Sequence, residues 1–519
     1  MLRKIRIALS TVMLLGATVL FLDFTGTVHA YLGWIAKIQL LPAILALNFG
    51  VIAVLAVLTL VFGRIYCSVI CPLGILQDII GWLGRRGKKN KLKYSWSKEK
   101  LLLRFILLGV TFGSIGAGLM FVPALLEPYS AFGRIAQSLL APVYAWGNNF
   151  FAYLAERADS YAFYTTDVWI KGGVTLGIAI ATLIALAILA WRNGRTWCNT
   201  ICPVGSLLSF LSRYAMFRPV IDTKKCKDCK LCERSCKASC IHIEEHTIDH
   251  SRCVVCFDCI DTCKFGALKY KYAWNKEISP GGPSVPSRND KGNPDGPELA
   301  HYTPVTPGEN TPDEGRRAFL AGTGLAVGAM TLGAQEKKVD GGLAVIQEKK
   351  RFVRGIPLVP PGAGGLKRFS QHCTACQLCV GVCPNGVLQP STKFDRFMQP
   401  ESSYERGYCR PECTKCSQVC PSGAIRKITA ADKTAIQIGY AVWIQENCLA
   451  AKGRRCDNCA HHCPTGAIQM VEMDIDGNKR KVPVVNEAKC IGCGACENLC
   501  PAAPYSGMCV EGYMIHNEI

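Results

Sequence analysis

GRIYCSVICPLG at residues 63–74 and GRTWCNTICPVG at residues 194–205 are two copies of one motif. Each copy contains Gly-Arg, an aromatic residue, Cys-x-x-Ile-Cys-Pro and a final glycine, and each follows a long apolar stretch. Because both copies end an apolar hairpin, the repeats are parallel, which predicts a symmetry axis along the membrane normal. That symmetry would bring together four cysteines at one end of a helix bundle, namely Cys67, Cys71, Cys198 and Cys202.

These four thiols have two chemical interpretations, and the spacing leaves both open. They can hold one iron–sulfur cluster, or they can act as two redox dithiols. A structural interpretation also exists, in which the motifs are turns at helix ends and Pro72 and Pro203 begin the next helices.

The apolar stretches before the motifs predict membrane spans. Hydrophobic residues make up 49% of the 519 residues, which is high for a soluble protein. Four stretches are long enough to cross a hydrocarbon core of roughly 30 Å, at residues 5–22, 40–62, 101–125 and 172–191.

Charge patterning predicts the orientation of these spans. Basic residues precede the first stretch and crowd loop 63–100, whereas loop 126–171 carries few of them. The positive-inside rule then places the N-terminus, loop 63–100 and the segment after the fourth stretch in the cytoplasm of a bacterium. This topology also explains the formal charge of +20, so we expect a multi-pass inner-membrane protein and no nucleic-acid partner.

After the fourth stretch, two C-x2-C-x2-C-x3-C runs indicate a bacterial dicluster ferredoxin module. In this pattern three cysteines of one run and the last cysteine of the other run ligate each cluster. The first predicted ligand set is Cys226, Cys229, Cys232 and Cys263, and the second is Cys253, Cys256, Cys259 and Cys236. Zinc would not use a third cysteine at this spacing. Lys237 and Lys264 replace the usual proline after the last cysteine, and Cys240 is a surplus thiol.

A polar segment and a second cysteine-rich module complete the chain. Residues 275–312 are rich in proline and glycine and predict a flexible linker. DEGRRAFLAGTGLAVGAMTLGAQ at 313–335 has the pattern of a twin-arginine export signal. Because no clear cleavage site follows, we expect it to remain as an anchor and to engage the twin-arginine export machinery.

Four cysteine runs that each end in Cys-Pro lie beyond this signal. They predict four more [4Fe-4S] clusters by the same sharing of ligands. The runs are Cys373, Cys376, Cys379 and Cys383; Cys409, Cys413, Cys416 and Cys420; Cys448, Cys456, Cys459 and Cys463; and Cys490, Cys493, Cys496 and Cys500.

The sequence therefore predicts a multi-domain protein, with a four-helix transmembrane bundle and small α+β ferredoxin domains of the dicluster fold. Its six clusters would be divided between two in the cytoplasm and four in the periplasm. The predicted regions are a membrane domain at 1–210, a cytoplasmic ferredoxin domain at 211–274, the linker at 275–312, the signal and anchor at 313–336, and a periplasmic four-cluster domain at 337–519.

On these motifs, residues 1–270 resemble the NapH family of membrane iron–sulfur proteins. Residues 313–519 resemble the exported NapG and MauM ferredoxins, with the matches RRAFLAGTG at 316–324, VPPGA at 359–363 and IQENCLAAKGRRCDNC at 444–459. The spacing Cys409-x3-Cys413 is shorter than that family's second run. The resemblance implies a fusion that oxidises menaquinol or ubiquinol and passes electrons to a periplasmic reductase, such as nitrate reductase or its cytochrome c partner.

Quinol oxidation also releases protons, so a carboxylate at the membrane edge would be useful. Glu127 in LLEPYSAFGR (125–134) is the candidate proton acceptor, with Tyr129 and Arg134 as candidate quinone-site residues. An interfacial anchor whose helix begins at Pro128 is the structural alternative.

Two other functions fit the same motifs. One is maturation or maintenance of a metalloenzyme, and the other is reverse electron flow from a periplasmic dehydrogenase into quinone. The sequence leaves open the quinone type, the terminal acceptor, the direction of flow, and how clusters on the two sides of a roughly 30 Å core connect.

Overall fold

A computed structural model describes residues 1–23, 25–86, 94–160, 163–273, 348–475 and 477–519. The region before the first ferredoxin module is helical. Its helices are α1 (Leu2–Leu22), α2 (Thr27–Leu32), α3 (Trp34–Lys37), α4 (Leu40–Leu45), α5 (Phe49–Phe62), α6 (Pro72–Arg86), α7 (Leu101–Gly116), α8 (Phe121–Leu126), α9 (Pro128–Ile135), α10 (Ala141–Arg157), α11 (Gly173–Asn193) and α12 (Pro203–Ser212). Three five-residue π-helical turns interrupt them, at Tyr66–Ile70, Ala136–Leu140 and Trp197–Ile201.

Two of the described helices are long and apolar enough to cross a membrane, and they correspond to the first and fourth predicted spans. These are α1 and α11, with 21 residues each. The other two predicted stretches are not single helices of that length. Stretch 40–62 divides into α4 and α5, and stretch 101–125 divides into α7 and α8.

Local backbone geometry explains both interruptions. Leu47 adopts a left-handed conformation with φ of 52°, and the Asn48 side chain accepts from the Val51 backbone N–H at 3.3 Å to start α5. Gly118 has φ of 75° after α7, a conformation that costs glycine little. Apolar content alone did not distinguish a broken helix from a continuous one.

The first ferredoxin module consists of short elements around cysteine loops. They are β1 (Phe217–Ile221), α13 (Leu231–Ser235), β2 (Ile241–His242), β3 (Thr247–Ile248), α14 (Asp258–Thr262) and β4 (Leu268–Tyr272). Strand β1 pairs with β4 and β2 pairs with β3, both antiparallel.

The second module repeats this construction at larger size. Its elements are α15 (Leu366–His372), α16 (Leu378–Gly381), β5 (Leu388–Pro390), β6 (Pro400–Ser402), α17 (Lys415–Val419), α18 (Ala430–Ala435), β7 (Ile436–Trp443), α19 (Asn458–His461), β8 (Ile468–Ile475), β9 (Asn478–Val485), α20 (Ala495–Asn498) and β10 (Met508–Glu518). Antiparallel pairs form between β5 and β6, β7 and β10, and β8 and β9.

The largest apolar core joins the helices to both modules. It contains Leu20 and Phe21 of α1, Ile241 of the first module, and Phe369 of the second. A separate core, which includes Leu358, lies within the second module. The predicted linker at 275–312 and the predicted export signal at 313–336 lie outside the described residues.

Candidate metal centres

The structure brings the four CxxxCP cysteines together, as the repeat predicts. Each CxxxC segment is wound as a π-helical turn, and single π-helical turns occur frequently at functional sites. The thiols of Cys67, Cys71, Cys198 and Cys202 interact electrostatically with one another, and all four residues are at most 4% exposed. We call this group the tetracysteine centre.

The two repeats exchange their arginines across this centre. Arg64 of the first repeat donates to the carbonyl oxygen of Cys198 at 3.0 Å. Arg195 of the second repeat donates to the carbonyl oxygen of Cys67 at 2.6 Å. Both arginines are completely buried.

The final glycine of each motif makes room for the arginine of the other repeat. A Cβ atom on Gly205 would lie 2.1 Å from the Cys198 oxygen and 2.8 Å from an Arg64 nitrogen. A Cβ atom on Gly74 would lie 2.3 Å from the Cys67 oxygen and 2.6 Å from an Arg195 nitrogen. The glycine and arginine of the motif therefore form one interlocked arrangement.

Hydrogen-bond donors surround the sulfur atoms. Arg64 Nη2 lies 3.8 Å from Cys67 Sγ, and Arg195 Nη1 lies 3.9 Å from Cys198 Sγ. The backbone N–H of Gly205 donates to Cys202 Sγ at 3.4 Å, and Gln77 Nε2 lies 3.4 Å from Cys198 Sγ. Two guanidinium charges and several N–H donors stabilise negative charge, so these residues fit a thiolate-bound iron–sulfur cluster.

In the first module, two cavities have the predicted cysteine sets in their walls. One cavity of about 360 Å³ is lined by Cys226, Cys229, Cys232 and Cys263. The other, of about 430 Å³, is lined by Cys236, Cys253, Cys256 and Cys259. Lys227 and Lys230 also line the first cavity, and apolar side chains complete both walls. Four cysteines in each wall match the ligand number of a [4Fe-4S] cluster.

Cys240 also lines the larger of these cavities. Its sulfur lies 3.5 Å from Cys236 Sγ, and it interacts with Cys253 as well. The sequence pattern assigned no partner to Cys240, and the structure places it beside two candidate ligands.

The second module brings its sixteen predicted ligands into groups of four. A cavity of about 290 Å³ is lined by Cys463, Cys490, Cys493 and Cys496. Electrostatic interactions between thiols link the other groups, which are Cys448, Cys456, Cys459 and Cys500; Cys373, Cys376, Cys379 and Cys420; and Cys383, Cys409, Cys413 and Cys416. Cys409 therefore lies with Cys383, Cys413 and Cys416 despite the short spacing to Cys413.

Lys237 attaches the first module to the helices. Its ammonium group lies 3.2 Å from Asp78 of α6 and 2.9 Å from Asp258 of α14, and its carbonyl accepts from the Arg195 backbone N–H at 2.8 Å. Lys237 occupies the position where ferredoxins usually have proline, and the ion pairs give a physical reason for this departure. Sequence reasoning recorded the substitution but missed its partners.

Asp78 is the centre of this ion-pair network. Arg195 and Arg6 also contact its carboxylate, both at 2.8 Å. Burial alone would raise the pKa of Asp78, but the charges of Arg195, Lys237 and Arg6 outweigh it and hold that pKa well below the usual value. The carboxylate is therefore ionised and links α1, α6, the second repeat and the first module.

The two ferredoxin modules lie at opposite ends of α1. At its beginning, Arg3 pairs with Asp258 and Asp261 of the first module at 3.0 and 2.6 Å. Just after its end, the carbonyl of Thr25 accepts from Lys415 of the second module at 2.8 Å. A helix of 21 residues is about 30 Å long.

Helix α11 crosses the same distance in the opposite direction. Gly172, which precedes it, packs against Pro390 of the second module, and Gly194, which follows it, packs against Lys237 of the first. The modules therefore lie at the two ends of both long helices.

The candidate quinone-site residues lie in and before α9, beside the second module. Glu127, Tyr129 and Arg134 are all completely buried. A Glu127 oxygen accepts from the Ser130 backbone N–H at the start of α9, and Arg134 donates to the carbonyls of Ala124 and Leu125. The Glu127 carboxylate and Cys376 interact electrostatically.

Comparisons with known proteins agree with an iron–sulfur chemistry. The family described as a 4Fe-4S binding domain matches residues 43–91 and 175–223, the segments that contain the two CxxxCP repeats. The family described as a 4Fe-4S dicluster domain matches residues 452–503.

Curated proteins match different parts of the chain. The methylamine utilization ferredoxin-type protein MauM of Paracoccus denitrificans is 32% identical over 197 residues, which are 36% of this chain and 82% of the relative. An uncharacterized protein of Methanocaldococcus jannaschii is 29% identical over 246 residues, 47% of this chain and 79% of the relative. The ferredoxin-type protein NapH of Escherichia coli is 25% identical over 243 residues, 45% of this chain and 71% of the relative. No solved structure matches the chain.

Proposed function

This chain belongs to the family of ferredoxin-type iron–sulfur proteins that includes MauM, and from that premise we propose that it conducts electrons across a membrane. Its substrate would be a quinol, menaquinol or ubiquinol, and its acceptor a periplasmic reductase, such as nitrate reductase or its cytochrome c partner. Oxidation of one quinol to quinone releases two electrons and two protons.

The observation that carries this proposal is the position of the tetracysteine centre between the two modules. On one side, Arg64 joins it to the first module, because the same guanidinium donates to the Ser251 carbonyl at 3.0 Å. On the other side, the Tyr66 hydroxyl donates to Gln39 at 2.8 Å and interacts electrostatically with Glu127. Glu127 in turn interacts with Cys376 of the second module.

We propose that the tetracysteine centre holds an additional iron–sulfur cluster. The two family matches over the repeats and the N–H donors around the sulfurs support this assignment. With six more clusters in the ferredoxin modules, each bound cluster would accept and release one electron. The residues of the chain supply ligands, exclude water and fix the separation of the centres.

Exposed apolar side chains support a membrane location. They cover the outer surfaces of α1, α5, α7 and α11, and include Val12, Leu15, Val57, Phe112 and Ile184, each more than 40% exposed. Large exposed apolar surfaces mark contact with lipid or protein. A multi-pass inner-membrane protein with a periplasmic second module, fused from NapH-like and MauM-like parts and exported by the twin-arginine machinery, would bury this surface in lipid.

Electron paramagnetic resonance tests the proposal. Purified full-length protein with its clusters is mixed with a reduced naphthoquinol, and reduced clusters per chain are counted by spin quantification. We expect reduction of clusters in both modules of the wild-type protein. In Cys71→Ser, the clusters of the module on the far side of the tetracysteine centre from the quinol should remain oxidised, because the centre no longer connects the two modules.

A matched control is Cys509→Ser, since Cys509 is a buried cysteine outside the predicted ligand sets. It should leave the spin count unchanged. If no cluster of the fully loaded wild-type protein accepts electrons from quinol, the proposed direction fails. Reduction of quinone by a periplasmic donor would then favour reverse flow.

A further inference from the structure

A cleft opens between α7 and α12 beside the tetracysteine centre, at the end of the bundle that carries the first module. Its void, counted together with its open mouth, is about 470 Å³, and Ser251 of the first module lies in its wall. None of the motifs in the sequence pointed to this cleft.

Arg104 is the buried arginine of the cleft, whereas Arg213, which also lines it, is exposed. The residue is only 4% exposed, and its Nε donates to Ser206 Oγ at 3.4 Å, while Nη1 donates to Glu99. Within the part of the chain that the structure describes, Nη2 is buried and has no hydrogen-bond partner. A buried guanidinium nitrogen without an acceptor is costly, so a ligand oxygen that accepts from Arg104 Nη2 would be stabilised in this cleft.

Ser209 and Arg213 also line the cleft, and its remaining wall is aromatic and aliphatic. Phe105 and Phe210 form one wall with ring centroids 5.7 Å apart, and Leu108 also lines the cleft. Phe105 and Phe210 are also each more than 40% exposed on the lipid-facing surface of the helices. A ligand with a polar ring and an apolar tail fits this division.

The cleft is one residue layer from the tetracysteine centre on two sides. The backbone N–H of Ser206 donates to the Cys202 carbonyl at 3.0 Å. Ser251 binds the guanidinium of Arg64, whose Nη2 lies 3.8 Å from Cys67 Sγ. A bound ring would thus be close to the sulfur ligands without contacting them.

Resting on the electron-transfer function proposed above, we infer that this cleft binds the head group of a quinone, with Arg104 Nη2 donating to a ring oxygen. The prenyl tail would leave past Phe105 and Phe210 into lipid. Glu127, Tyr129 and Arg134 lie beside the second module and are completely buried, so a head group there would have to displace helix packing.

The test is a fluorescence-quenching titration with 2-heptyl-4-hydroxyquinoline N-oxide, a quinol analogue, and the full-length protein carrying its clusters. We expect saturable binding to the wild type and a dissociation constant raised roughly tenfold by Arg104→Gln, the scale of one lost charge-assisted hydrogen bond. Arg192→Gln is the matched control, because Arg192 is an exposed arginine at the same end of the bundle. The Arg192→Gln variant should bind the analogue with the wild-type dissociation constant.

Leu108→Trp provides a second variant that keeps the guanidinium and fills the cleft, and it should also weaken binding roughly tenfold or more. Iron content and cluster spectra verify that each variant is folded and loaded. If both variants bind like the wild type while Glu127→Gln binds weakly, the cleft assignment is overturned and the electron-transfer function stands.

A lipid head group also offers oxygen acceptors to Arg104, so a competition arm distinguishes it from a quinone. Menaquinone should displace the analogue, and phosphatidylglycerol should not. Displacement by phosphatidylglycerol alone would make the cleft a lipid site and overturn the inference. If the fully loaded wild type neither binds the analogue nor accepts electrons from quinol, the proposed function fails together with the cleft assignment.

Discussion

Arg64 belongs to the first CxxxCP repeat, yet it donates to the carbonyl of Cys198 in the second repeat at 3.0 Å. Arg195 makes the reciprocal contact with Cys67. Each arginine also approaches the sulfur of its own repeat, at 3.8 and 3.9 Å. The positive charges therefore fix the relative position of the repeats and stabilise negative charge on the thiols at the same time.

Substitution of Gly205 by alanine should disrupt the tetracysteine centre. The added Cβ atom would lie 2.1 Å from the Cys198 oxygen, and overpacking of this kind costs roughly 1–3 kcal/mol or more. We expect a lower iron content and a changed redox potential of that centre, measured by iron analysis and a potentiometric titration.

The control for that substitution is Gly109→Ala, since a Cβ atom on Gly109 of α7 has no neighbour within 4 Å. It should retain the iron content and the potential of the wild type. Equal behaviour of the Gly205 and Gly109 variants would contradict the interlocked arrangement.

Lys237→Met should loosen the attachment of the first module. It removes a buried cation between Asp78 and Asp258, and loss of one partner from a buried ion pair typically costs about 3–5 kcal/mol. Limited proteolysis of the first module should become faster.

Lys264→Met is the matched control, because Lys264 occupies the same position after the other cysteine run and is exposed. The first module of the Lys264→Met protein should be cleaved at the wild-type rate. A stable Lys237→Met protein would mean that the apolar contacts of the core alone hold the module in place.

Cysteine spacing and motif repetition were sufficient to predict which cysteines would be close together. That success has a physical reason, because three ligands of each ferredoxin set lie in one short loop. Packing across distant segments was not predictable in the same way. The partners of Lys237 and the cleft at Arg104 depend on α6, α7 and α12 meeting the first module, and no local pattern encodes those contacts. The breaks at Leu47 and Gly118 were missed because hydropathy does not report backbone conformation.

Acid should destabilise the second module through His516. Burial lowers the pKa of His516 from 6.5 to about 4, so the unfolded chain binds the proton more readily than the folded one between these values. The contribution of neutral His516 to the free energy of unfolding is complete above about pH 6.5 and is lost as the pH falls toward 4. Over this whole range the lost free energy is about 3 kcal/mol.

His516→Phe should remove that part of the acid sensitivity. Thermal unfolding of wild type and variant is compared at pH 7.5 and pH 5, and the difference between their free energies of unfolding should change by about 2 kcal/mol. A difference that is independent of pH would show that His516 is protonated in the folded protein or exposed.

Gly133→Ala should separate the second module from the helices and interrupt electron transfer between them. Gly133 of α9 faces the loop of a candidate cluster, and an added Cβ atom would lie 2.4 Å from the Cys376 oxygen and 2.7 Å from the Phe21 ring. Because both neighbours are held in the apolar core, the strain is relieved by displacement of the module.

After addition of quinol, stopped-flow absorbance should show reduction of the first module at the wild-type rate and slower reduction of the second. Gly147→Ala on α10, where a Cβ atom meets open space, should show wild-type kinetics in both phases. Unchanged kinetics in Gly133→Ala would mean that electrons enter the second module by a route that does not pass α9.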